Sequence, residues 1–246
     1  MPLRRLLMLL ALSFALLSVA SLEVFAQADE RTRAAADIET LRAQLKAREE
    51  ILLAPSDEDR KAFAEFLARP DTGLIRLLPR ENWDGKLSKR GGGAFYSFAR
   101  QTHEYGQGSD LALERGQLMV GFVGADFGFM IDLNGMPLED VSEETARVRL
   151  MASFKVPTTE ADARAAKREF GSHEGPNSPW NYRSKLPVIA GQTYALRSIN
   201  YHRSDVLIAF RIVRRDADGS VVLLWKLMKR YPIPDLESTV TATTGQ

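Results

Sequence analysis

The residues of this chain that could do chemistry are few and scattered. His103, His173 and His202 are its three histidines. Brought together from separate loops they could hold zinc, and with the adjacent Glu104 and Glu174 they would make a metal-dependent hydrolase. None shows the His-x-His or His-x-x-x-His spacing that aligns two imidazoles on one strand or helix face.

Other motifs fail on their surroundings. Asp71-Thr72-Gly73 matches the triplet in which two aspartic protease carboxylates share a proton. Arg69-Pro70 precedes it where an apolar strand is required, and no second copy exists. It reads as a helix stop and turn. Asp126-Phe127-Gly128 is the kinase magnesium triplet without the loops that accompany it. Asp216-Ala217-Asp218-Gly219 has its glycine misplaced for a calcium loop and reads as a hairpin turn. Gly91-Gly92-Gly93 lacks the histidine of an oxyanion loop, no Gly-x-Ser-x-Gly occurs, and cysteine is absent. Asp140 and Glu143 carry no mark of a paired acid and base. These motifs assign no catalytic residue and imply no cofactor.

Binding chemistry has more support. Trp180, Tyr182 and Arg183 sit in the irregular stretch from Gly171 to Leu186, which is rich in Gly, Pro, Asn and Ser. Stacking surface beside a planar cation is favoured at recognition sites. The competing reading has Trp180 plugging the loop onto the core with Arg183 over it. Tyr201 and Arg203 flank His202 in the same manner and complete the candidate ligand-binding set.

These residues need a scaffold. Asp29 to Leu53 reads as a helix of good helix formers. Ala34, Ile38, Leu41, Leu45 and Leu52 form a heptad-like stripe, with Arg48 at the missing seam position. Pro55 ends it. The stripe either lies on the domain or forms a homodimer seam with a second copy through 29–53. Ser56 starts a short helix carrying Phe63, Phe66 and Leu67. Gly73 to Leu78 reads as a buried strand.

Strands are expected at Ala94–Arg100, Leu111–Leu113, Gln117–Val123, Phe127–Leu133 and Thr145–Phe154, with a type I′ turn at Asn134-Gly135. Thr159 to Phe170 reads as a helix with a Thr159/Asp162 capping box. A strand follows at Thr193–Ile199. Asp205–Arg214 and Val221–Arg230 form a hairpin across Asp216–Ser220. Val206, Ile208, Phe210 and Ile212 share one face of its first arm; Leu207, Ala209 and Val213 share the other. Apolar residues on both faces mark central strands covered on both sides.

The expected fold is α+β: an antiparallel β-rich sandwich or barrel-like domain with an N-terminal amphipathic helical arm. Segment 29–70 is the arm, 71–236 the β-rich domain and 237–246 a polar tail. Segment 1–28 has the charge, apolar core and small-x-small order of a secretory signal peptide. Its apolar run is shorter than the roughly 20 residues of a spanning helix, so no integral membrane segment is expected after cleavage. The 33 basic and 32 acidic residues nearly cancel, giving little long-range attraction for nucleic acid.

The sequence thus points to an exported protein of the bacterial periplasm or medium. Its expected role is non-enzymatic binding of a partner protein or small ligand. A histidine-site hydrolase and a purely structural envelope component are the alternatives.

Overall fold

The computed structural model of the protein describes residues 29–103, 105–171 and 181–237. The segments 1–28, 172–180 and 238–246 therefore lie outside the described residues, and with them the expected signal peptide, Trp180 and most of the tail. The chain divides into two compact units, Met1–Glu50 and Ile51–Gln246.

In the first unit the described residues form one helix, α1, which runs 29–53 as its composition predicts. Ile38, Leu41 and Leu45 of its stripe are 48%, 62% and 44% exposed. Its last residues belong to the second unit, where Leu53 is buried and the Leu52 carbonyl accepts from Arg76 Nη1 at 2.7 Å. Among the described residues no helix is long and apolar enough to cross a membrane.

The second unit begins with α2 (Asp57–Ala62), capped reciprocally by Ser56 and Asp59, and α3 (Ala64–Leu67). The strands are β1 (Thr72–Leu77), β2 (Phe95–Tyr96), β3 (Leu111–Glu114), β4 (Gln117–Met119), β5 (Phe127–Asp132), β6 (Lys185–Pro187), β7 (Thr193–Asn200), β8 (Ser204–Arg215) and β9 (Val221–Arg230). Helix α4 (Arg80–Trp83) follows β1, and α5 (Ala146–Ser153) and α6 (Glu160–Gly171) follow β5.

Two antiparallel sheets result. One has the order β1-β9-β8-β7-β5 and the other β2-β3-β4-β6. The first places the C-terminal hairpin at its centre, and its two faces sort as the alternation predicts. Val206, Ile208, Phe210 and Ile212 pack against the small sheet with Leu111, Leu113 and Leu118. Leu207, Ala209, Val222 and Leu224 pack beneath Phe66, Val148, Met151 and Phe170 of the helices. The layers are therefore helices, large sheet, small sheet. The fold is α+β and sandwich-like, and its sheets do not close into a barrel. They communicate at one corner. The Arg183 backbone bridges Met130 of β5, and two residues later β6 pairs with β4.

Thr145–Phe154 is a helix rather than the expected strand. Its two buried side chains, Val148 and Met151, are three residues apart, the spacing of one helix face, and Arg149 and Leu150 face solvent. Asn134 and Gly135 take the positive φ values of a type I′ turn, 54° and 73°, yet form no hairpin. The chain turns away into a short 3-10 segment, and β5 pairs with β7 instead. The strand expected at Ala94–Arg100 survives only as β2, because a carboxylate takes the backbone N–H groups of Phe98 and Ala99.

Candidate functional site

The carboxylate that shortens β2 belongs to Asp110, which leads into β3 and is buried. Its Oδ2 accepts from Phe98 N at 2.7 Å and Ala99 N at 3.2 Å, with Ser97 Oγ at 3.4 Å. Its Oδ1 accepts from Ser198 Oγ at 2.7 Å and Asn200 Nδ2 at 2.8 Å. One oxygen thus holds the loop after β2 and the other holds the end of β7 in the opposite sheet. Burial pushes the Asp110 carboxyl up, and these donors oppose the shift.

The end of β7 leads into a tight turn, Tyr201-His202-Arg203, before β8. Asn200 O accepts from Arg203 N at 3.1 Å, and His202 takes a φ of 62°. Tyr201 is buried. Its N–H donates to Asp126 Oδ1 at 3.0 Å and its hydroxyl to Pro157 O at 2.8 Å. Burial raises that hydroxyl to about 12. Asp126 is also raised by burial, against the pull of the Tyr201 N–H.

Beside the turn lies a buried ion pair. Arg197 and Asp205 are 1% and 2% exposed and joined at 2.5 and 2.7 Å by the Nε and Nη2 groups. Arg197 also donates to Met151 O at 2.9 Å and lies 3.2 Å over the Tyr231 ring. Burial pushes Asp205 up, while the guanidinium fork works the other way.

Above these buried groups open two clefts that share Arg203. The first, about 510 Å³, is lined by Arg90, Tyr105, Gly106, Gln107, Val123 and Arg203. The second, about 270 Å³, lies between Ala99–Arg100, Arg203–Val206 and Arg230–Ile233. Arg90, Arg100, Arg203 and Arg230 are all exposed. Arg203 Nη2 donates to Gln107 Oε1, Arg230 Nη1 donates to Ala99 O at 3.3 Å, and the Arg90 guanidinium lies 4.6 Å from the Tyr105 ring centre. The arrangement offers planar cations with aromatic neighbours, which suits anion recognition.

Of the residues singled out in the sequence, Tyr201 and Arg203 meet at this end, the first as a buried support and the second in both cleft walls. Tyr182 and Arg183 lie elsewhere. Tyr182 is wholly buried against Phe129, its hydroxyl donating to Arg147 O at 2.7 Å and raised by burial to about 12. Arg183 is half-buried in the bridge to Met130.

The histidines take separate roles. The His103 ring donates from Nε2 to the Arg76 carbonyl at 2.8 Å, and burial lowers it to about 4. His202 is exposed and its Nδ1 meets Asp235 Oδ1 at 2.8 Å. His173 lies outside the described residues. Among the described residues no group of three or more His, Asp or Glu is placed to hold a metal ion.

The protease-like triplet is structural. Asp71 turns the chain at a φ of 56°, Thr72 Oγ1 donates to Arg69 O at 2.8 Å, and Gly73 lies against the Trp225 indole. Asp216 and Asp218 of the hairpin turn are held by Arg76, at 3.4 and 2.9 Å.

Asp110, Arg90, Arg100 and Arg230 were not found by sequence reasoning. Each lies in an unremarkable local context, and only the turn of the chain brings them to one end. The chain matches no protein-family model, and neither curated proteins nor solved structures yield a match.

Proposed function

We propose that this is an exported, non-enzymatic binding protein that holds a partner protein or small ligand at the β7–β8 end of its β-rich domain. The observation that carries the reading is the position of Arg203 in the walls of two clefts, with three further exposed arginines around them. The nearby carboxylates of Asp110 and Asp205 are engaged by internal donors. The tight turn and the buried Tyr201 beneath it fix the Arg203 backbone, which limits the ordering cost of binding to the side chain.

Thermal melting against a panel of anionic, neutral and cationic ligands tests this. A ligand that raises the melting temperature of the parent protein but not of Arg203→Ala supports the reading. A panel whose effects are all indifferent to Arg203 overturns it. Export is tested by N-terminal sequencing of the protein recovered from the periplasm or medium, where cleavage after Ala26 or Ala28 is expected.

A second reading concerns α1. Ile38, Leu41 and Leu45 form an exposed apolar stripe at heptad spacing, and a second copy of the helix would cover it. Sedimentation should then show a dimer that Leu41→Glu dissociates. A monomer in the parent protein would end this reading.

A further inference from the structure

The paired clefts specify more than a generic anion. Resting on the reading of the β7–β8 end as a binding surface, we propose that their ligand is an extended acidic peptide segment laid across both clefts, its carboxylates met by Arg203 and by the arginines on either side.

Three features lead there. First, the cations are divided between two clefts that share Arg203 rather than gathered in one pocket. Arg90 and Arg203 belong to the first cleft, and Arg203, Arg100 and Arg230 to the second. A ligand using both must carry more than one negative group. Second, all the cations are guanidinium groups, whose planar forks match carboxylate oxygens in pairs. Arg203 gives one bond, to Gln107, of the five N–H donors that a guanidinium carries. Third, the second cleft is not purely polar. Ala99, Val206 and Ile233 share it with the arginines, and Ile233 is 59% exposed. A ligand consisting only of charge would leave this wall in water. An extended peptide presents side chains alternately and so can set an alkyl group beside a carboxylate.

The described carboxylates near Arg203 have donors of their own. Asp205, the one carboxylate in the second cleft's lining, is forked by the buried Arg197. Asp126 is buried on the Tyr201 N–H.

Fluorescence anisotropy on the full chain tests the proposal with a short labelled peptide in which Glu alternates with Leu and Gly. The controls are the same peptide with Gln for Glu, and inorganic polyphosphate as a competitor. The Glu peptide should bind at least about tenfold more tightly than the Gln peptide and lose affinity with salt. Arg203→Ala should weaken it about tenfold, with Arg203→Lys intermediate because charge remains and the fork is lost. Both variants should melt as the parent does, since Arg203 is exposed.

Equal binding of the two peptides overturns the proposal. So does polyphosphate binding more tightly than the Glu peptide; if that binding falls in Arg203→Ala, the clefts remain the binding surface and only the ligand class is wrong. If no probe depends on Arg203, the proposal and the reading beneath it fall together.

Discussion

Asn200 donates from Nδ2 to Asp110 Oδ1 at 2.8 Å, across 90 residues of sequence and between the two sheets. The other Asp110 oxygen takes the N–H groups of Phe98 and Ala99, next to Arg100, and Asn200 closes the turn that carries Arg203. A single buried carboxylate therefore fixes the spacing of two arginines of the second cleft. Asp110→Ala strands several buried donors at once and should cost about 3 kcal/mol or more in urea unfolding. A loss below about 1 kcal/mol would show that the clasp carries no weight.

The Arg197–Asp205 pair should behave as a buried ion pair. Arg197→Met leaves a buried carboxylate without its cation and should destabilise by about 3–5 kcal/mol. Adding Asp205→Leu removes the stranded charge and should recover part of the loss. A double variant as unstable as the sum of the two single changes would contradict the coupling.

His103 should set an acid limb on the stability curve. Burial holds its folded value at about 4, below the roughly 6.5 of an unfolded histidine. Between these values the unfolded chain binds more protons, so stability must fall as the pH drops from about 6.5 towards 4. The full effect is up to about 3 kcal/mol at and below pH 4. His103→Gln lacks this titration, so its unfolding free energy, followed from pH 7 to 4, should decline less than that of the parent. Identical slopes would contradict the assignment.

Gly73 is required by packing rather than by its backbone angle. A Cβ there would lie 2.6 Å from Trp225 ring atoms, closer than a Cβ packs against its neighbours. Gly73→Ala should cost about 1–3 kcal/mol by displacing the indole or β1. Near-UV circular dichroism should change with it, and an unchanged spectrum at parental stability would count against the contact.

Sequence reasoning reached the scaffold better than the site, for a physical reason. Burial on both faces writes itself into local alternation, so Val206 through Ile212 reveal their two environments without any partner being known. Helix α1 is equally evident from its composition and from Pro55. Thr145–Phe154 misled because Val148 and Met151 mark a helix face with only two residues, while the arginines beside them are compatible with either structure. Ala94–Arg100 misled because its backbone donors go to a side chain a dozen residues away. The clefts are harder still. Arg90, Arg100, Arg203 and Arg230 obey no spacing, and the contact between Asp110 and Asn200 that ties the neighbourhoods of Arg100 and Arg203 together is invisible until the sheets are stacked. Of the residues singled out, Arg203 reached the cleft walls, while the Tyr182 ring lies wholly in the core.

The most direct test of the account is to map binding residue by residue. Backbone amide spectra of the isotopically labelled protein, titrated with the Glu-containing peptide, should show shifts concentrated at Arg90, Ala99–Arg100, Tyr105–Gln107, Val123, Arg203–Val206 and Arg230–Ile233. Saturable shifts confined to these segments, and lost in Arg203→Ala, are the predicted result. Shifts centred elsewhere in the β-rich domain, or none at all, would contradict the claim that its β7–β8 end is the binding surface.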